Sequence, residues 1–398
     1  GGRDSQSAED IEEQQRVMKQ LRSKPGNELC ADCNCADPGS VTWASVNLGV
    51  LLCLDCSGVH RAMGTHISKM RSAILDVRQW TPERLDVFAN TGNEVVNSIL
   101  ERPEELAKHG VTKPTTDSPR PEKERYIRAK YETKQFIGTI DDVLAHMPAS
   151  EQASVMSDAA GRSESDRVGL CLMHSCIKGD LPTSLKLILL STSGGGAKAD
   201  AGAGSGAGST PAVLFRDPAQ SNLSPLHIAS AGGHNALIEL LLLNGANVDE
   251  LGGGDGGSAL HLAVLTKKVD TCQLLITKGA QVGIVDVHGR TAVDIALEQA
   301  RPVDGARPDP SAAIISGILR LAKAAQDDAQ RVRDAELAER ERYASGATGD
   351  GETAAAEAAP PIPTTAPPAT PTQPSKGAAA AAAAAAATPV PHTPGEKD

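Results

Sequence analysis

This chain has no run of about 18 or more large apolar residues, and so no segment able to cross a membrane as a helix. Its one long unbroken apolar stretch, Ala378 to Ala387, is polyalanine and too short. No secretory signal opens it. It begins Gly1-Gly2 rather than with methionine, and is expected to be a piece of a longer protein. Cysteine is sparse: eight in 398 residues. Four of them (Cys35, Cys171, Cys176 and Cys272) show no spacing that suggests a disulfide framework, which argues for a reducing compartment. An excess of positive charge is also missing. The net charge of −11 argues against a chain-wide nucleic-acid binder.

The other four cysteines carry the signal. Cys30-x2-Cys33 is followed, after 19 residues, by Cys53-x2-Cys56. Two tight pairs brought together by a loop satisfy the tetrahedral geometry of a structural Zn2+ site, and four thiolates leave the metal no open position for chemistry. Ser57-Gly58-Val59-His60-Arg61 follows at once, so the metal fixes the backbone just before an arginine.

Before the cysteines, residues 8 to 24 read as a helix, with Ile11, Val17, Met18 and Leu21 at helical intervals and Pro25-Gly26 as its stop. The apolar run from Val46 to Leu52 reads as a strand feeding the second pair. Thr81 can cap and Pro82 can open a helix carried by Leu85, Phe88, Val95, Val96, Ile99 and Leu100 to about Glu101. After a turn-rich break from Pro114 to Pro121, a charged helix is expected over Glu122 to Phe136. Its inner face is Tyr126, Ile127 and Tyr131, and its charges are exposed. Residues 141–166 show little periodicity.

A repeat comes next. Ser224-Pro225-Leu226-His227-Ile228-Ala229, Ser258-Ala259-Leu260-His261-Leu262-Ala263 and Thr291-Ala292-Val293-Asp294-Ile295-Ala296 recur at intervals of 34 and 33 residues, the period and signature of ankyrin repeats. Leu170 to Leu190 resembles a degenerate earlier copy, and Ala312 to Ala324 a capping helix. His227 and His261 are expected to bond between turns rather than bind a ligand. A Gly/Ala/Ser stretch interrupts the array and reads as a disordered insertion. From Gly346 onward Ala, Pro and Thr dominate, and disorder is expected because nothing there offsets chain entropy.

Cys30-Ala31-Asp32-Cys33, Trp43-Ala44-Ser45-Val46-Asn47-Leu48-Gly49, Cys53-Leu54-Asp55-Cys56-Ser57-Gly58-Val59-His60-Arg61 and Gly64-Thr65-His66-Ile67-Ser68-Lys69-Met70-Arg71-Ser72 stand in the chain together, with Leu75-Asp76, Gly92-Asn93 and Lys123 to Tyr131 beyond them. On these motifs residues 28 to 136 resemble the catalytic module of Arf GTPase-activating proteins (ArfGAPs). With ankyrin repeats directly after it, the chain resembles the ACAP (centaurin-beta) branch, whose members carry BAR and PH domains upstream. The resemblance implies an α+β zinc-finger module, a small sheet with surrounding helices, over residues 8–140. A linker over 141–166 then leads to an all-α ankyrin array over 167–325, with a disordered insertion at 192–221, on which the module packs. A low-complexity disordered tail occupies 326–398.

The implied function is activation of GTP hydrolysis on an Arf-family small GTPase in its GTP-bound state, with Arg61 as an arginine finger supplied in trans. The chain is then an activator and not itself a GTPase. Cys30, Cys33, Cys53 and Cys56 are the implied zinc ligands, and Trp43, Lys69, Arg71 and Arg78 the implied partner-facing residues. The implied setting is vesicle traffic, in the cytoplasm and peripherally at endosomal or plasma membranes. A cargo or adaptor protein would sit on the repeats, and anionic lipid would be met through regions outside this chain; no nucleic-acid partner is expected. One departure stands out: the spacer between the cysteine pairs is longer than the family's usual one. The extra residues fall among Gly39, Ser40, Val41 and Thr42, where a loop tolerates added length, although the shape around Trp43 is put in question. The zinc spacing also suits a GATA-like nucleic-acid-binding finger, and a catalytically silent ankyrin scaffold is the other alternative.

Overall fold

The computed structural model describes residues 8–158, 160–191, 211–301 and 309–346. The chain divides into two units, 1–335 and 336–398; every element below lies in the first, except the end of the last helix.

Helix α1 (Ala8–Leu21) buries Val17 and Leu21 completely and stops short of Gly26, whose φ of +86° a side chain would strain. Strands β1 (Val41–Ser45) and β2 (Val50–Cys53) form an antiparallel hairpin. Helix α2 (Leu54–Met63) follows β2 directly, and β3 (Met70–Ser72) pairs with the other edge of β1, giving the order β2-β1-β3. The strand expected over Val46 to Leu52 is therefore only half a strand. Residues 46–49 are the hairpin turn, closed by a Gly49 N–H to Ser45 carbonyl bond of 2.9 Å at φ +72°. The turn was hidden because Val46 and Leu48 are buried in it, so hydrophobicity does not fall where the chain reverses. The added residues before Trp43 form a turn and a break in the ladder register between Val41 and Trp43, where Thr42 is the extra residue. Trp43 itself stays in register, opposite Leu52 on one side and Ser72 on the other.

Helices α3 (Pro82–Asn90) and α4 (Asn93–Leu100) replace the single helix expected from Thr81 to Glu101. Thr81 does cap α3, accepting from Arg84 N–H. The break falls at Gly92, at φ +93°, where a Cβ would come within 2.6 Å of Asn27 Oδ1. Helix α5 (Pro103–Lys108) leads to α6 (Arg120–Tyr131), which is shorter than expected and ends five residues before Phe136. The supposed linker is structured: α7 (Ile140–Leu144), opened by a Thr139–Asp142 capping box, and α8 (Ala149–Asp158) bury Ile140, Val143, Leu144 and Val155.

The repeat array begins with α9 (Glu164–Lys178) and α10 (Leu181–Ser191), the degenerate copy. It continues with α11 (Pro225–Gly232) and α12 (Asn235–Leu243), then the small ribbon β4 (Leu251–Gly252) and β5 (Gly257–Ser258). After these come α13 (Ala259–Leu265), α14 (Val269–Thr277), α15 (Ala292–Gln299) and α16 (Pro310–Gly346). His227 Nε2 reaches the Gly257 carbonyl at 3.1 Å and His261 Nε2 the Arg290 carbonyl at 3.2 Å, so both histidines tie one repeat to the next as expected. Of the insertion expected over 192–221, residues 192–210 lie outside the described residues. The remainder is ordered by packing: Ala212, Val213 and Phe215 are buried, Phe215 beside Leu170 and Met173. The capping helix buries Ala312, Ile315 and Leu319 but runs far past Ala324, so the start of the tail expected to be disordered at 326–398 is helical as far as Gly346. The rest of that tail lies outside the described residues.

Candidate zinc centre and arginine site

The first cysteine pair is a tight knuckle. Cys30 N–H donates to the Cys35 carbonyl at 2.9 Å, and Asn34, at φ +53°, donates back to the Cys30 carbonyl at 3.1 Å. The second pair is set by secondary structure: Cys53 ends β2 and stands at the head of α2, and Cys56 lies in that helix's first turn. The fold brings the four sulfurs within 4.8 Å of one another, all in buried residues, with Cys33 and Cys53 Sγ 3.6 Å apart. Tetrahedral zinc with bonds of about 2.3 Å requires sulfurs about 3.8 Å apart. The set fits zinc. Cys35 contributes its backbone carbonyl to the knuckle and its sulfur is outside the set.

A buried ionic network braces this centre, and the sequence did not disclose it. Lys130 Nζ, on α6, donates to Asp32 Oδ1 at 2.9 Å, Glu101 Oε1 at 2.7 Å and Asn97 Oδ1 at 2.7 Å. Tyr131 OH donates to the same Asp32 oxygen at 2.9 Å, while the other oxygen meets His60 Nε2 at 3.0 Å. Lys130, Asp32 and His60 side chains are all fully buried. Burial alone would raise the Asp32 pKa, but Lys130 and His60 outweigh it and hold the carboxyl well below its usual range. Charges on α6 were expected to be exposed, yet Lys123 and Lys130 are buried. Helical phase held the clue: positions 123, 126, 127, 130 and 131 share one face, so both lysines lie with the aromatic residues. His60 is of a residue type that can ligate zinc. It is not a ligand; Ser68 Oγ holds its other nitrogen at 2.8 Å.

Arg61 follows His60 in the last turn of α2 and points outward. Its guanidinium carbon lies 4.7 Å from the centroid of the Trp43 ring, a cation–π contact that places a strand residue and a helix residue side by side at the surface. Arg71 and Arg78 are exposed nearby in sequence, on β3 and in the turn after it. Asp76 is structural: its Oδ2 accepts from Ser72 N–H at 2.8 Å. Lys69 is drawn elsewhere, its ammonium donating to the Leu243 carbonyl at the end of α12.

That contact belongs to a seam between the zinc module and the repeats. Asn244 Nδ2 donates to the Asn47 carbonyl at 3.0 Å, in the β1–β2 turn, and Lys134 donates to the Leu189 carbonyl in α10. Arg84 on α3 is paired with Glu239 on α12, and Lys278 with the second oxygen of that carboxylate. The module's lysines thus meet carbonyls at the C-terminal ends of repeat helices, where cations are favoured.

Residues 15–139 match the family model described as a putative GTPase-activating protein for Arf, and residues 172–286 and 226–307 match ankyrin repeats. Residues 15–139 are an ArfGap module. Over 303 residues, 72% of this chain, it is 32% identical to the rat "Arf-GAP with coiled-coil, ANK repeat and PH domain-containing protein 2". Similarity to the Arabidopsis thaliana "ADP-ribosylation factor GTPase-activating protein AGD2" is nearly equal, 31% over 305 residues and 72% of the chain. Over 121 residues, 30% of the chain and 14% of the relative, identity rises to 47% with the human "Arf-GAP with coiled-coil, ANK repeat and PH domain-containing protein 3". The chain spans 36% of the rat relative and 38% of the Arabidopsis one. Its ArfGap module is a zinc finger, with Cys30, Cys33, Cys53 and Cys56 as the clustered metal site. No helix among the described residues is long and apolar enough to cross a membrane.

Proposed function

We propose that this chain accelerates GTP hydrolysis on an Arf-family GTPase by inserting Arg61 beside the γ-phosphoryl. The observation that carries this reading is the position of Arg61: exposed, at the end of a helix whose first turn bears Cys56, and resting against Trp43. The GTPase supplies the P-loop, the magnesium and the water-positioning glutamine. During hydrolysis negative charge moves toward the β–γ bridging oxygen, and a permanently charged planar donor stabilises it. Such a residue supplied in trans is worth roughly 10³ to 10⁵ in rate, on the order of 4 to 7 kcal/mol of barrier. Zinc held by Cys30, Cys33, Cys53 and Cys56 would have no open position for chemistry and would brace the start of α2, while the chain's own residues present the arginine.

In this reading residues 8–140 are the activating module and 167–325 the array on which it is seated. Trp43, Arg71 and Arg78 face the GTPase, and Lys69 serves the seam. A cargo or adaptor protein on the repeats, anionic lipid met by segments beyond this chain, and work on traffic at endosomal or plasma membranes complete the proposal. It is tested by hydrolysis assays on a panel of GTP-loaded Arf proteins: stimulation by the chain on at least one of them, lost when Arg61 is replaced, is the expected result. No stimulation on any of them would end it.

A further inference from the structure

A chain of hydrogen bonds that takes no part in zinc binding joins the two elements carrying Arg61 and Trp43. It runs from Asp32 Oδ2 to His60 Nε2 at 3.0 Å, from His60 Nδ1 to Ser68 Oγ at 2.8 Å, and from Ser68 Oγ to Ser45 Oγ at 2.8 Å. All four residues are buried, and Tyr131 lies edge-on to the His60 ring at 4.7 Å. Its two ends bear on the arginine in different ways. His60 is the inward neighbour of Arg61 on α2, and successive helix residues are rotated by a fixed angle. Holding both nitrogens of His60 therefore fixes the direction in which Arg61 leaves the helix. Ser45 lies two residues from Trp43, on the same face of β1. Holding Ser45 to Ser68 fixes how far that strand stands from α2.

We infer that Asp32, His60, Ser68 and Ser45 form a positioning device for Arg61, setting the spacing at which the guanidinium rests over the Trp43 ring and so delivering it pre-oriented to the GTPase. Asp32 is a firm anchor because Lys130 and Tyr131 hold its other oxygen. Asn47 extends the device to the loop before β3: its Oδ1 accepts from Lys69 N–H at 2.7 Å and its amide donates to the Ile67 carbonyl at 3.0 Å, so the segment bearing Ser68 cannot drift from the hairpin. The inference rests on the reading of Arg61 as the finger. The four residues are positioning residues, since none touches nucleotide.

The test uses the full zinc-loaded chain carrying Ser68→Ala or His60→Ala, assayed by single-turnover hydrolysis over a concentration series on a GTP-loaded Arf protein. Zinc content is measured in parallel, with Trp43 emission followed in a Trp80→Phe background. The expected result is a saturating rate lower by roughly 10- to 100-fold, the scale of a misplacement of about 1 Å. Half-saturating concentration and zinc content should stay unchanged, and Trp43 emission should shift as the guanidinium leaves the ring. Should His60→Ala fail to fold, Ser68→Ala decides. A saturating rate equal to that of the unsubstituted chain, or a loss confined to half-saturating concentration, overturns the inference. Arg61→Lys run beside them separates the two readings. If the lysine variant is inactive while Ser68→Ala is fully active, only the positioning role falls; if the lysine variant is fully active, the finger itself falls.

Discussion

Arg84 and Glu239 meet across the seam between the ArfGap module and the repeats, with Nη2 2.6 Å and Nε 3.1 Å from one carboxylate oxygen. Their side chains are 10% and 1% exposed, so the pair is removed from water although its partners lie 155 residues apart in the chain. Lys278 takes the second oxygen. Removing Glu239, the carboxylate they share, strands both cations. Glu239→Ala is expected to destabilise the fold by roughly 3 to 5 kcal/mol, the usual cost of leaving a buried charge unpaired. The triple replacement Arg84→Met, Glu239→Met and Lys278→Met should recover much of that loss, because the desolvation penalty disappears with the charges. Urea unfolding of the single and triple variants checks it; equal losses in both would show that the cluster's charge is not what matters.

Cys53→Ala removes a zinc ligand from the residue that joins β2 to α2. The expected outcome is loss of bound zinc together with the cooperative unfolding of the module, since ligand binding and folding are one equilibrium in such sites. Metal analysis and circular dichroism on the same sample test this. A folded, zinc-free variant would contradict the structural assignment.

Arg61→Lys keeps the charge and loses the fork. Because Arg61 is exposed, the melting temperature should not move, while stimulated hydrolysis falls by at least roughly 10³-fold. Calorimetry and a single-turnover assay together distinguish this from a folding defect.

Lys134 gives a pH dependence. Burial in the seam holds its pKa down to about 7, from an ordinary 10.5. The unfolded chain therefore binds more protons than the folded one between those values, and this residue's contribution to stability rises with pH across the window. Below about pH 7 both states are protonated and the term is at its most unfavourable. Lys134→Met should flatten that rise, by at most about 1.4 kcal/mol per pH unit. Parallel denaturation curves of zinc-loaded protein at pH 7 and pH 9 measure it; identical slopes in the two proteins would refute it.

The cysteine spacing, the ankyrin period and the Thr81-Pro82 helix start were legible because each is a local pattern with one physical solution. Four thiolates at that spacing have a tetrahedral answer, and a 33-residue hydrophobic period stacks. The break at Gly92 and the turn at Val46 to Gly49 were not legible. Val46 and Leu48 carry the apolar run through the turn, and Leu85, Phe88, Val95 and Val96 keep a helical interval across Asn90-Thr91-Gly92-Asn93, where what stops the helix is a neighbour, Asn27 at Gly92, that sequence order does not place there. Helices α7 and α8 escaped for a related reason: they are short, and their stability comes from burying Ile140, Val143, Leu144 and Val155 rather than from their own periodicity.

The sequence by itself determined the metal site, the arginine beside it and the repeat that follows, because covalent spacing and side-chain chemistry suffice for each. Only the tertiary structure decided which charges are spent inside. Lys130 binds Asp32, Lys69 caps α12 and Arg84 finds Glu239, while Arg61 is left outside against Trp43. A charge's partner is set by distance and burial in the folded state, and neither is encoded in the order of residues along one element.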